Sequence, residues 1–468
     1  MRVSLSPSSG IGFLARTALP ALLATVLGCA ATTRPAIPPL ATSPAPAAAA
    51  TPVITFIEDD YPRALAEAKS SGKPLFIDAW APWCHTCLSM KSYVFTSEQL
   101  RPLSDRFVWL AIDTEKPGNA TFVERYPMQF WPTLWVVDAK TEQPALKWLG
   151  SATATELASL LDDATAGGAG PTAAGEAAAA LLRGQRATAA GKRDDAVREY
   201  RAALASAPPK WPSRGRADEA LVSELWAAKD DVACAALADA EMAKIPPGTS
   251  LANVGLLGLE CARRSPAASP THALAARLAR AVEQIALDPS VPMLDDDRSG
   301  LFEETVDDRA EDGDPAGAKS LATSWAQLLE ARAEAAKTPA ARAVFDAHRM
   351  LAYVALGDPA RALPMLNASE KDFPADYNPP ARIARVSLEL HKLDDAQAAA
   401  LRALARGYGP RKLKLYLLLA DILKAKGDAP GVSRVVDEAL AYAHGLPKAD
   451  VPAAVVLDLE KRRSSASP

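Results

Sequence analysis

The segment "PLFIDAWAPWCHTCLSM" (74–90) constrains the fold of this chain more than any other. Its first half is an apolar run typical of a buried strand. A short turn then leads to Cys84 and Cys87, which open a helical run. Three chemistries use a cysteine pair with this spacing: a redox-active disulfide, half of a zinc site, or the attachment of a c-type haem.

The sequence around the pair fits two of these chemistries poorly. A c-type haem needs histidine directly after the second cysteine, and Leu88 stands there. A structural zinc ion needs four ligands. His85 is the only histidine between residues 53 and 165, and no further cysteine lies there. We therefore expect a redox-active disulfide, with no metal and no cofactor besides the Cys84–Cys87 pair.

The start of a helix suits a reactive thiol. Free backbone N–H groups and the helix dipole stabilise an anion there, so Cys84 is expected to become a thiolate that attacks a substrate disulfide. Cys87, one helical turn further on, would then resolve the mixed disulfide.

A glycine-rich stretch, "AGGAGPTAAG" (166–175), separates two regions of different composition. Over 53–165, strand-like and helical runs alternate and end in a hairpin and a helix. This pattern predicts an α/β sandwich with a mixed sheet. Residues 176–464 are alanine-rich and almost uniformly helical. We therefore expect two domains, with 166–175 as the linker.

The helical region contains repeated elements. Asp358, Asp394 and Asp428 lie 36 and 34 residues apart, each in a polar turn before a helix, where aspartate is a typical N-cap. The interval resembles the 34-residue tetratricopeptide repeat (TPR). The match weakens over 210–335, where "PSVPMLDDDRSG" (289–300) breaks the period. We expect an all-α, TPR-like solenoid with a peptide- or protein-binding groove; a helical bundle without repeats is the alternative.

The first region resembles the thioredoxin family, particularly the C-terminal domain of bacterial thiol:disulfide interchange proteins. Besides the cysteines, Asp78, Trp83 and the Pro132 of "FWPTLWVVD" carry the resemblance. It implies that Asp78 is a buried acid assisting proton transfer at the second cysteine and that Trp83 precedes the nucleophile. It also implies that Pro132 is a cis-proline whose loop packs against the disulfide and pairs with the substrate backbone. A thioredoxin-like fold over 53–165 would follow.

The sequence departs from the family pattern at two places. Trp109 takes the position where thioredoxins often keep a lysine near the buried acid. Without a cation, burial should raise the pKa of Asp78 further. His85 and Thr86 replace Gly-Pro between the cysteines. A protonated His85 would stabilise the thiolate and favour oxidant or isomerase behaviour.

The first thirty residues are typical of an export signal. Arg2 and Arg16 precede an apolar run (17–28) of the length found in signal peptides and too short to span a bilayer. We expect 1–28 to be a signal peptide and the protein to be exported to the periplasm. Disulfides persist in that compartment.

The end of this signal, "VLGC" (26–29), resembles the lipobox of bacterial lipoproteins. The resemblance implies lipidation of Cys29 and, because Ala30 follows it, anchoring in the outer membrane. An ordinary secretory signal with an incidental Cys29 thiol is the alternative. The Pro- and Ala-rich residues 29–52 predict an extended tether.

Two further cysteines, Cys234 and Cys261, lie 27 residues apart on helices that we expect to be neighbours. In an oxidising compartment they would form a structural disulfide, but two buried free thiols fit the sequence equally. Both outcomes stay open at this point.

Two functions fit these patterns. The first is an exported thiol:disulfide oxidoreductase whose protein substrates are recruited by the helical region. The second is a TPR-type scaffold lipoprotein in which the thioredoxin-like fold is ancillary. A net charge of −4, with no basic patch interleaved with aromatic residues, argues against nucleic acid as a partner.

Overall fold

The computed structural model describes residues 52–128, 130–165, 173–447 and 451–466. The predicted signal peptide, Cys29 and all but the last residue of the predicted tether lie outside these ranges. Within them, every helix is too short or too polar to serve as a transmembrane span.

The first region forms a mixed sheet. Its described strands are β1 (Ile57–Glu58), β2 (Leu75–Trp80), β3 (Val108–Asp113), β4 (Thr133–Val137) and β5 (Pro144–Leu149), in the order β1-β3-β2-β4-β5. β3 runs parallel to β1 and β2, whereas β4 is antiparallel to β2 and to β5. This topology confirms the predicted α/β thioredoxin-like sandwich with a mixed sheet.

Helices cover both faces of the sheet. They are α1 (Tyr61–Ser71), α2 (His85–Ser89), which continues as a π-helical turn (Met90–Val94), α3 (Ala120–Arg125) and α4 (Ala154–Thr165), with 3₁₀ turns at Glu98–Leu103 and Pro117–Asn119. The bounds of α1 follow from its sequence. The Asp60 side chain accepts the Arg63 N–H at its start, and Gly72 ends it with φ at 70°, a conformation that glycine adopts without strain.

The rest of the described chain is helical. It contains α5 (Ala173–Ala189), α6 (Arg193–Ser206), α7 (Arg214–Ala227), α8 (Asp231–Glu241), α9 (Thr249–Arg264), α10 (Ala275–Leu287), α11 (Asp295–Glu311), α12 (Pro315–Ala335), α13 (Pro339–Ala343), α14 (Asp346–Ala355), α15 (Leu363–Asp372), α16 (Asn378–Glu389), α17 (Leu393–Arg406), α18 (Lys412–Ala425), α19 (Ala429–His444) and α20 (Ala453–Ala466). Successive helices pack against each other, most closely in the pairs α5–α6, α8–α9, α11–α12, α16–α17 and α18–α19. This arrangement confirms the predicted helical-repeat solenoid. Its first helix begins at Ala173, inside the predicted linker, whose residues 166–172 lie outside the described ranges.

The three aspartates with repeat spacing do not all cap helices. The Asp428 carboxylate accepts the Gly431 N–H at the start of α19, at 2.9 Å. Asp358 occupies the N-cap position of a 3₁₀ turn, without a side-chain capping bond. Asp394 is the second residue of α17, so the N-cap prediction is wrong there. Its carboxylate pairs with Lys426 instead, at 2.6 Å.

Of the two outcomes left open for Cys234 and Cys261, the structure contains the disulfide. The sulfurs are 2.02 Å apart and join α8 to α9. Both residues are fully buried in the core of the helical region.

The sheet domain and the helices belong to one compact unit (53–468). They meet at the end of the sheet that carries the cysteines. Trp83 and Leu88 pack against the core of the helical region, and the Tyr93 hydroxyl donates to the Ala341 carbonyl at 2.9 Å.

Candidate disulfide-exchange site

Cys84 and Cys87 lie just beyond the carboxyl end of β2 and form a disulfide. Their sulfurs are 2.08 Å apart and their Cα atoms 5.2 Å apart. Cys84 is the N-cap residue of α2, and its Sγ accepts the Cys87 N–H at 3.0 Å. The same N–H is available to stabilise a thiolate at Cys84 after reduction. Cys84 is 4% exposed and Cys87 is fully buried.

The proline loop lies beside the disulfide. The Trp131–Pro132 peptide bond is cis. Trp131 packs in the same small apolar cluster as the two cysteines, with its ring 5.2 Å from the Trp83 ring. The Trp131 indole N–H donates to the Thr114 hydroxyl at 2.8 Å, which fixes the loop against the end of β3. The Trp131–Pro132 loop thus packs beside the disulfide, and its pairing with a substrate backbone stays a prediction.

Asp78 is fully buried on β2, and neither of its oxygens has a hydrogen-bond partner within the described ranges. Burial raises its pKa from the ordinary 3.8 to about 7, and the positive charge of Lys91 opposes that rise. A carboxyl group with this pKa can both accept and release a proton near neutral pH.

The expectation that this acid lacks a nearby cation is therefore wrong. Trp109 is paired in the sheet with Phe76, whereas Asp78 is paired with Ala111. The cation comes instead from Lys91, in the turn after α2, whose ammonium group lies 3.3 Å from the centre of the Trp80 ring.

The two residues between the cysteines point at the helical region. Nδ1 of His85 lies 2.9 Å from both carboxylate oxygens of Asp296, a fully buried residue at the start of α11. The Thr86 hydroxyl donates to the same carboxylate at 2.8 Å. Burial lowers the pKa of His85, but the charge and hydrogen bond of Asp296, together with the charge of Glu303, outweigh it and raise the pKa overall. This environment favours an imidazolium beside Cys84.

Trp83 contacts Glu115 and, through it, the start of α18. Its indole N–H donates to Glu115 at 2.8 Å, and the other oxygen of that carboxylate accepts the Arg411 backbone N–H at 2.7 Å. The Arg411 guanidinium lies 5.0 Å from the centre of the Trp83 ring. The Asn378 amide donates to the carbonyl of Pro82 at 3.1 Å. The loop that carries Cys84 is thus enclosed by α11 on one side and by α16 and the start of α18 on the other.

Sequence reasoning missed these enclosing residues. Asp296 lies in the segment 289–300, which interrupts the repeat spacing of the helical region. Three consecutive aspartates at the start of a helix, in an otherwise alanine-rich region, were the available signal. Glu115 and Arg411 carry no comparable signal, because nothing in the local sequence shows that they meet.

Comparison with known proteins supports the fold of the first region. A thioredoxin-like family model matches residues 56–139. The thiol:disulfide interchange protein DsbD of Pseudoalteromonas atlantica is 30% identical over 87 residues, and that of Cronobacter sakazakii is 32% identical over 84 residues. Each match covers 18% of this chain but only 15% and 14% of the respective relative.

Solved structures of tetratricopeptide repeat proteins align with this chain at low sequence identity. A tetratricopeptide repeat protein from Parabacteroides merdae aligns with a TM-score of 0.41 and 11% identity, over 62% of this chain and 99% of its own. The TPR2AB domain of yeast Sti1, in its complex with pHSP90, aligns with a TM-score of 0.25 and 13% identity, over 62% and 98%. By its sequence match and its topology, the first region of this chain is a thioredoxin-like domain with a Cys-x-x-Cys disulfide, and a helical-repeat region follows it.

Proposed function

We propose that this protein is an exported thiol:disulfide oxidoreductase that exchanges disulfides with protein substrates through Cys84 and Cys87. The observation that carries the proposal is the disulfide at the start of α2, packed beside Trp131 of the cis-Pro132 loop. The buried Asp78 lies on β2, the strand that leads to the cysteines. No cofactor besides the cysteine pair takes part in the exchange.

The exchange balances without any other redox group. In the reductive direction, the Cys84 thiolate attacks a substrate disulfide, and one substrate sulfur leaves as a thiolate. The Cys87 thiolate then attacks Cys84 in the mixed disulfide. The second substrate sulfur leaves, and the enzyme disulfide is re-formed. Asp78 takes up the proton of the Cys87 thiol, which its pKa near 7 permits. The reverse sequence oxidises a substrate dithiol.

The proposed preference is for oxidation or isomerisation. The imidazolium of His85, held by Asp296 at 2.9 Å, stabilises a thiolate at Cys84 and therefore the reduced enzyme. A cysteine pair whose reduced form is stabilised is easily reduced, so its disulfide readily oxidises a substrate dithiol.

A trapping experiment tests the exchange. In Cys87→Ser the mixed disulfide cannot be resolved, so natural substrates should stay covalently attached to Cys84 and appear on non-reducing gels of the exported fraction. The double variant Cys84→Ser/Cys87→Ser is the matched control and should trap nothing. If neither variant forms mixed disulfides with exported proteins on these gels, the proposal is contradicted.

The burial of Cys84 supports a second candidate function. With 4% of this residue exposed, a folded substrate cannot reach the sulfur unless the covering helices move. The protein would then be a TPR-type scaffold in which the thioredoxin-like domain is an ancillary docking piece. Two results would favour this scaffold function. The same partners would co-purify with the wild type and with Cys84→Ser, and Cys87→Ser would form no mixed disulfides.

The cellular location belongs to the same proposal. The protein is exported to the periplasm and anchored in the outer membrane through lipidated Cys29. Labelling with a radioactive fatty acid should mark the wild type but not Cys29→Ser. If the two are labelled equally, an ordinary secretory signal replaces the lipoprotein assignment.

A further inference from the structure

Three side chains of metal-binding type meet where α2 faces the helical region. His85 comes from α2, Asp296 from α11 and His348 from α14, and one ligand atom of each lies within 4.8 Å of the other two. His85 Nδ1 lies 2.9 Å from the Asp296 carboxylate, and His348 Nδ1 lies 3.5 Å from it. Nitrogen and oxygen ligands about 2.0–2.2 Å from one shared zinc ion lie roughly 3–3.5 Å apart, so this spacing suits a common ion.

His348 is the member of this cluster that ordinary hydrogen bonding leaves unexplained. It is 1% exposed, and its two ring nitrogens have only long contacts of 3.5 Å, Nδ1 with Asp296 and Nε2 with Glu303, in the part of the chain that the structure describes. A buried polar group without a partner is unfavourable, and such a group in a native protein needs an explanation. A metal ion bound by Nδ1 would supply a close partner.

The second nitrogen of His348 supports the same conclusion. Nε2 faces a carboxylate oxygen of Glu303 at 3.5 Å. Histidines that bind metal usually direct their other nitrogen at a carboxylate or carbonyl, which fixes the ring and strengthens it as a ligand. Glu303 is positioned to do this without contacting the ion.

We propose that His85, Asp296 and His348 bind one divalent transition-metal ion of the zinc class. Two imidazoles and one carboxylate are typical of zinc and its first-row neighbours, whereas Mg²⁺ and Ca²⁺ prefer oxygen ligands alone. This set differs from the zinc site considered from the sequence, since it uses neither cysteine and takes two of its ligands from the helical region. Binding of the ion displaces the proton from Nδ1 of His85, so the metal-bound form and the imidazolium form of His85 are alternative states of this site. The bound ion ties the thioredoxin-like domain to the solenoid. The side chain of His85 is 27% exposed, whereas Asp296 and His348 are buried.

Zinc titration of the full chain tests this directly, with both cysteine pairs oxidised and the Cys29 thiol alkylated so that no thiol competes. Isothermal titration with ZnCl₂ should show one ion bound per chain, and the melting temperature should rise with zinc concentration because the ion binds the folded state. His348→Gln and Asp296→Asn should each lose this stoichiometric binding and the thermal shift. Glu303→Gln should weaken binding by roughly 10–100-fold without abolishing it.

His444→Gln is the matched control, because His444 is exposed at the end of α19, and it should bind zinc as the wild type does. His348→Gln changes α14 and Asp296→Asn changes α11. A circular-dichroism spectrum of each variant without metal shows whether it retains the native fold. The proposal is overturned if the wild type binds no stoichiometric zinc, if a folded His348→Gln or Asp296→Asn binds it undiminished, or if Mg²⁺ binds as tightly as zinc. Because the titration measures metal binding alone, its result is independent of disulfide-exchange activity.

Discussion

The two disulfides of this protein lie in opposite surroundings. Cys84 and Cys87 are three positions apart at the start of a helix, with a backbone N–H on the first sulfur and a histidine between the cysteines. Cys234–Cys261 spans 27 residues and joins two helices inside an alanine- and leucine-rich core. The first bond therefore lies at the start of a helix with a backbone N–H at 3.0 Å from its first sulfur. The second lies inside the core of the helical region, where the Arg264 guanidinium is 3.7 Å from the Cys261 sulfur. The surroundings indicate exchange chemistry for the first disulfide and a structural role for the second.

The largest expected effect separates the two pairs by activity. Cys84→Ser should reduce the turnover of a peptide disulfide to background, because Cys87, the remaining thiol of the pair, is fully buried. The double variant Cys234→Ala/Cys261→Ala should keep turnover near that of the wild type. Stopped-flow measurement with a fluorescent peptide disulfide compares them. Residual exchange in Cys84→Ser, or its loss in the double variant, would remove the distinction.

The next largest effect distinguishes the two disulfides by how much each contributes to the free energy of unfolding. Removing Cys234–Cys261 should lower the free energy of unfolding by about 3–4 kcal/mol, because a loop of this length is released in the unfolded chain. Removing Cys84–Cys87 should cost clearly less, since its loop is short. Chemical denaturation of Cys234→Ala/Cys261→Ala and of Cys84→Ser/Cys87→Ser gives both values. Equal losses would indicate that both disulfides are structural.

A third effect concerns the acid behind the first pair. Because the pKa of Asp78 is about 7 in the folded protein, against an ordinary 3.8, the folded state binds this proton more tightly than the unfolded state. Stability should therefore fall as the pH rises from about 4 to 7, and the penalty is complete above the folded pKa. Asp78→Asn should exceed the wild type in unfolding free energy at pH 8, by up to a few kcal/mol, and match it more closely at pH 5.

Asp105→Asn, at an exposed acid, is the matched control. Asp78→Asn should also exchange disulfides more slowly than the wild type at pH 7, because the proposed acceptor of the Cys87 proton is removed. Stability differences that are the same at pH 5 and pH 8 would contradict the assignment of Asp78 as a buried titrating acid.

The smallest effect concerns the enclosure of the first pair. Glu115→Ala removes the carboxylate that joins Trp83 to the Arg411 backbone. Loosening this contact should speed the reduction of Cys84–Cys87 by a small thiol, by up to roughly tenfold, the equivalent of one charged hydrogen bond. Glu98→Ala, at an exposed surface ion pair, should leave the rate unchanged. If both variants are reduced at the wild-type rate, the helices do not restrict access.

The thioredoxin-like domain could be predicted in detail because its signals are local. A buried strand, a cysteine pair at a helix start and the Pro132 loop each occupy a few consecutive residues, and together they define the sheet and its site. The repeat spacing of the helical region likewise predicted its class, although not its caps, since Asp394 lies within its helix.

The contacts between the two regions could not be predicted in this way. His85 meets Asp296 across 211 residues of sequence, and no periodic pattern states which helix faces the cysteines. The approach of Lys91 to Asp78 was missed for a related reason. The family position for the cation lies on the neighbouring strand, whereas this chain supplies the charge from the turn after α2.

The reduction potentials of the two disulfides, measured in one experiment, test the central distinction most directly. The protein is equilibrated at stepped thiol–disulfide ratios, and the free cysteines at each step are alkylated and assigned by mass spectrometry. The environment of Cys84, with its N–H donor and the His85 imidazolium, predicts a potential above about −270 mV for the first pair. The buried second pair should stay oxidised below about −300 mV. If Cys84–Cys87 is as hard to reduce as Cys234–Cys261, it is a second structural bond and the assignment of an exchange site is wrong.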